Sequence, residues 1–152
     1  MKKNIVVSSM LLALSLSFNQ TVSSSEIMDL FTYMKKNNMK DTFHVAAVMQ
    51  RCSGVYMAYG KYLPTDMQKQ KKIFGKIATD FIIKATSILL DRDQNKPDKN
   101  IEKNKEALVL FTNHYYSKLE QDQLSTGSIF SGKTAKEMAL CKELMLKIRK
   151  NN

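Results

Sequence analysis

Two cysteines, two histidines, one basic helix face and a glycine-flanked lysine loop are the places in this chain where residue type and spacing could carry chemistry. The loop is the sharpest. Gly127-Ser128-Ile129-Phe130-Ser131-Gly132-Lys133-Thr134 fits G-x-x-x-x-G-K-[ST] letter for letter. In a nucleotide-hydrolysing P-loop the backbone N–H groups cradle phosphates, the lysine reaches the β and γ groups and the hydroxyl holds Mg²⁺. That chemistry needs a buried strand before the loop and a parallel sheet after it. Residues 116–124 read instead as the end of a polar helix, and the 18 residues after Thr134 are too few for the sheet or a Walker B aspartate. The expectation is structural: the glycines make a turn, Thr134 caps the next helix, and no nucleotide binds.

Cys52 and Cys141 lack the Cys-x-x-Cys spacing of a redox pair, and two thiols cannot build a structural zinc site of three or four thiolates. His44 and His114 offer no Cys-x-x-Cys-His for a c-type haem and no Glu-x-x-His pair for a di-iron centre. A b-type haem between His114 and Met57 or Met49 stays conceivable, with nothing to select it. No Gly-x-Ser-x-Gly elbow and no paired-acid signature is present, so no residue is named as catalytic, cofactor-binding or metal-ligating. Lys69, Lys72 and Lys76, with Lys71 adjacent, line one helix face and could meet phosphate or anionic lipid. A solvated face opposite the Phe74–Phe81 stripe explains the same spacing without a ligand.

The elements that must position these residues are helical. Apolar residues recur at i, i+3, i+4, i+7 in four segments. The first spans about residues 41–62 (Val45, Val48, Met49, Cys52, Val55, Tyr56, Tyr59), capped by Asp41 or Thr42 and closed by Leu63-Pro64. The second spans about 65–90 (Met67, Gln70, Phe74, Ile77, Phe81, Ala85, Ile88), with Thr65 and Gln68 at capping-box spacing. The third starts near Pro97 and fades around Gln123, burying Ile101, Leu108, Phe111, Tyr115 and Leu119. The fourth opens on a Thr134/Glu137 capping box and runs to about Lys150, with Met138, Cys141, Leu144, Met145 and Ile148 inward. Residues 25–36 form a shorter amphipathic piece. Gly54 and Gly75 inside helices each predict a close helix approach, since glycine there costs about 1 kcal/mol relative to alanine.

Short connections between the four segments predict an all-α, antiparallel four-helix bundle with a possible short N-terminal helix. With 152 residues, five glycines, two prolines and no tryptophan, the composition suits one helical domain and not a β-sandwich.

Residues 1–25 have the tripartite layout of a cleavable signal peptide: Met1-Lys2-Lys3, an uncharged apolar stretch from Ile5 to Phe18, then small polar residues to Ser25. The apolar stretch is well short of the roughly 20 residues that span a bilayer. Residues 26–152 are then one helical domain, periplasmic or secreted. Loss of Lys2 and Lys3 takes the net charge from +10 to +8. In an oxidising compartment Cys52 and Cys141, inward on neighbouring first and fourth helices, are expected to form a disulfide. By exclusion the chain is expected to be a non-enzymatic exported bundle that binds a protein partner. An anion-binding module using Lys69, Lys72 and Lys76 is the alternative, and a haem or metal carrier a third.

Overall fold

A computed structural model describes residues 27–93 and 97–150 of the chain; the expected leader, residues 1–25, lies outside them. Five helices run in order among the described residues: α1 (Leu30–Lys36), α2 (Thr42–Tyr62), α3 (Gln68–Arg92), α4 (Pro97–Thr126) and α5 (Lys133–Lys150). No described residue lies in a strand. The expected all-α bundle with one disulfide is the fold.

The helix ends follow from local chemistry. Asp29 caps α1, accepting from Thr32 N at 2.9 Å, and Asp41 caps α2, accepting from Phe43 N at 2.9 Å. Leu63 closes α2 by donating its N–H to the Tyr59 carbonyl. The capping box at Thr65 does not form. Pro64 opens a turn in which Met67 N bonds to the Pro64 carbonyl, so α3 starts only at Gln68, whose side-chain amide donates to the Thr65 carbonyl. α4 runs past Gln123 to Thr126, where Gly127 at φ +73° ends it in the left-handed conformation that glycine tolerates best.

Three pairings fix the topology. Ser53 Oγ donates to the Ala78 carbonyl, and Tyr56 packs on both Phe74 and Phe81, so α2 and α3 are antiparallel. Gln50 bonds to Asn104, while Gly54 faces Phe111 and Thr112, so α2 and α4 run parallel and touch. Lys118 pairs with Glu137, and the Cys52–Cys141 disulfide joins α2 to α5, with Cα atoms 5.4 Å apart. α2 is therefore the central helix, packed by α3, α4 and α5. Its approach to α4 depends on Gly54, where a Cβ would overlap the Phe111 side chain and sit 2.9 Å from its backbone carbon.

Besides the Thr65 cap, three further sequence expectations fail in the packing. Gly75 marks no close approach, since nothing lies within 4 Å of a Cβ built there. Gln70, in the first turn of α3 beside the hairpin loop, is exposed. Ile101 is 40% exposed because Asn104 takes the inward position of that turn, buried and bonded to Gln50 and Thr86.

Candidate functional site

In the glycine-flanked loop the N-terminus of α5 points its free backbone N–H groups at a carboxylate of the same chain. Asp122, on the last turns of α4, accepts from Lys133 N at 3.2 Å and from Thr134 N at 2.9 Å. An anion therefore already sits where helix N–H groups and dipole would favour a phosphate. Gly132 makes this possible, because a Cβ there would overlap the Asp122 carboxylate. Both glycines are thus accounted for by the backbone, Gly127 as the left-handed end of α4 and Gly132 as room for Asp122. Thr134 does not cap α5. It lies inside the helix, fully buried, and Asp122 is the cap.

Glu137 is likewise not the far half of a capping box. Buried at the start of α5, its carboxylate accepts from Leu30 N at 3.2 Å, from the Tyr115 hydroxyl at 2.6 Å and from Lys118 Nζ at 2.7 Å. Burial, and then the charge of Glu137, push the Tyr115 hydroxyl well above its ordinary value of 10.0. Beside this node Arg51, also buried, donates to the Met28 carbonyl at 2.7 Å and lies 4.4 Å from the Tyr33 ring centroid. Together these groups fasten the N-terminal segment to the bundle, with the Leu30 side chain sealed in the core. This polar cluster is fully engaged in holding helices together.

Asp122, Glu137 and Arg51 were missed as internal groups, although a signal for each exists. Asp122 continues the Tyr115–Leu119 stripe at i+7 and i+3, Glu137 stands one turn before Cys141, and Arg51 lies between Val48 and Val55 at helical spacing. A charged residue at an inward position must be paired, which marks it as a tether.

The histidines are dispersed: His44 Nδ1 lies 2.9 Å from the Tyr33 hydroxyl, and His114 is buried edge-on to Tyr115. Among the described residues no group of three or more His, Cys, Asp and Glu could hold a metal ion. Lys69, Lys72 and Lys76 are all exposed on α3.

Among the described residues a surface with the form of a binding site lies between α3 and α5. Around α2 the neighbours close on each other at α3–α4 and α4–α5, whereas α3 and α5 barely touch. The open sector is a groove of about 510 Å³ floored by Tyr56 of α2, walled by Phe74 and Ile77 of α3 and by Met138, Ala139, Met145 and Leu146 of α5. Among the described residues that line it, Lys142 carries the charge. A second depression of about 330 Å³ shares Met145 and continues the groove along α3 past Asp80, Phe81, Ile83 and Lys84 to Ile148. Apolar side chains stand exposed along these helices, with Ile73 at 46%, Ile83 at 61% and Leu146 at 50%. The volume lies within the range of small-molecule pockets, and the lining is apolar with a few charged groups at the margin.

Comparison with known protein families, characterised proteins and solved structures finds no match to this chain. Among the described residues no helix is long and apolar enough to cross a membrane.

Proposed function

We propose that this protein is an exported, non-enzymatic binding module, and that the α3–α5 groove receives the apolar face of a helix from a protein partner. The observation that carries this reading is the open sector around α2. Three helices pack on α2, one position beside it stays unfilled, and the side chains facing that position are apolar. An amphipathic helix laid into such a groove buries its i, i+3, i+4, i+7 face and completes the packing. Export is supported by the leader pattern and by a disulfide of the kind that persists in oxidising compartments. The non-enzymatic reading is supported by the engagement of Asp122, Glu137 and Arg51 in structural bonds.

Methionine-methyl NMR tests the placement, because Met138 and Met145 line the groove while Met28, Met39 and Met67 lie elsewhere. A designed amphipathic helix with a leucine face and uncharged flanks, titrated into the exported chain, is expected to shift Met138 and Met145 first. Shifts confined to Met28, Met39 or Met67 would show that the groove is not the contact surface.

A further inference from the structure

We infer that the helix this groove takes is acidic along its flanks, the inference resting on the helix-in-groove reading above. The floor of the groove is apolar, and its margins carry the charge. On the α5 wall Lys142 stands in the lining. Lys142 is exposed and takes no part in the Arg92–Asp41, Lys105–Glu102 and Lys118–Glu137 ion pairs. On the α3 wall Lys84 lines the continuation of the groove together with Asp80. Lys69, Ile73, Lys76, Asp80 and Lys84 follow one another at helical spacings of four, three, four and four residues. They form one stripe along α3, at whose far end Asp80 and Lys84 meet the groove.

A helix resting on Tyr56, Phe74, Ile77 and Met145 has Lys142 on one side and the Lys69–Lys76–Lys84 stripe on the other. Four lysines against Asp80 favour glutamate or aspartate at the flanking positions of the ligand helix and repel lysine there. This gives the basic face of α3 a role in selecting the partner. Exposed pairs are individually weak, so the charges select among apolar helices that the groove already holds.

Three designed 18-residue helices with the same leucine face and with Glu, Gln or Lys flanks test the inference on the exported full chain, by fluorescence anisotropy with Met138 and Met145 as NMR reporters. The Glu-flanked helix is expected to bind about tenfold more tightly than the Gln-flanked one, and the Lys-flanked helix more weakly than either. The spread should collapse in about 1 M salt, where the Debye length is about 3 Å. The exposed Lys142→Glu substitution together with Lys84→Glu should invert the order, with circular dichroism confirming an unchanged fold. Equal affinity for all three helices, with Met138 and Met145 shifting, overturns the acidic-flank inference and leaves the helix-in-groove reading standing. Failure of every helix to shift those methyls overturns both. Shifts produced by dodecanoate, by anionic phospholipid vesicles or by raising protein concentration, where the helices give none, overturn both in favour of an amphiphile, a lipid surface or a second copy.

Discussion

Replacing Asp122 by alanine is the most direct test of how the Gly127–Thr134 loop is built. The wild-type carboxylate satisfies the Lys133 and Thr134 N–H groups, of which the second is buried, and places a negative charge at the positive end of α5. Losing a side-chain cap costs about 0.5–2 kcal/mol, and a partly buried charge at a helix terminus contributes up to about 2 kcal/mol. These overlap, so about 2 kcal/mol is expected for Asp122→Ala. At about 4 °C per kcal/mol for a domain of this size, Tm should fall by about 8 °C. Urea unfolding with the disulfide intact is the assay, read as a lower midpoint at unchanged slope. Asp122→Asn keeps an acceptor and loses the charge, so it should cost about half as much. In the wild type, millimolar ATP with Mg²⁺ should leave the midpoint unchanged, since the N–H groups a phosphate would use are taken. A cost below about 0.5 kcal/mol for Asp122→Ala, within the range of ordinary surface changes, would refute the capping argument. So would a clear rise in the wild-type midpoint with ATP.

Removing the Cys52–Cys141 bridge by double serine substitution should cost about 4.5 kcal/mol in the chain-entropy model, given the separation of 89 residues, and is measured by the same urea series. Gly54→Ala should destabilise by about 1–3 kcal/mol as the added methyl meets Phe111, whereas Gly75→Ala, with open space around it, should stabilise by about 0.5–1 kcal/mol; opposite signs in thermal melts are the check. Glu137→Ala should cost about 3 kcal/mol by stranding the Tyr115 hydroxyl and Leu30 N–H, and the Leu30 amide should lose protection from hydrogen exchange. The pH dependence has two limbs. Hydrogen bonds from Thr32 hold Asp29 below 3.8, and those from Phe43 N and Arg92 do the same for Asp41, so their stabilisation is present above pH 3.8 and lost as pH falls through the lower folded values, fraying the starts of α1 and α2 first in amide exchange. Burial raises Tyr59 and Tyr115 above 10.0, so the stability they confer is present below pH 10 and lost as pH climbs beyond it, and their tyrosinate absorbance should rise together with loss of helical circular dichroism.

What the sequence shows and hides follows the range of the interactions. The ends of α2 are legible because Asp41 caps it from the adjacent position and Leu63-Pro64 stops it locally. The disulfide is legible because both thiols lie on inward stripes and the bundle order makes their helices neighbours. Asp122 is missed and Glu137 misplaced because their partners lie 12 and 22 residues away, while for Glu137 a local rule also offers a nearer role. Glu137 stands three residues after Thr134, so spacing alone pairs them, yet a buried carboxylate gains more from Tyr115 and Lys118 than from a cap at the helix surface. Gly54 and Gly75 look alike in sequence and differ only in what the neighbouring helix presents. The groove has no local signature at all, since it exists because α3 and α5 fail to meet, and periodicity marks both faces simply as core.

That failure to meet needs a cause, because two apolar helix faces flanking a gap would ordinarily close on each other. α5 is held from the other side. Asp122 fixes its first N–H groups to α4, Glu137 ties its next turn to Tyr115 and Lys118, and the disulfide pins its middle to α2. Each tether has a defined geometry and each draws α5 toward α2 and α4, so its distance from α3 is set by these bonds together with the apolar cluster that Met145 shares with Phe81 and Ala85. The tethers therefore act as supports for the groove as well as for the fold, placing its α5 wall on a rigid element in advance of any ligand. Stability and binding should then separate. Asp122→Asn, which lowers stability modestly and lies away from the groove lining, should weaken helix binding by less than its cost to the fold. Opening the disulfide under conditions where the chain stays folded should weaken binding by more, because it frees the wall that carries Cys141, Lys142 and Met145.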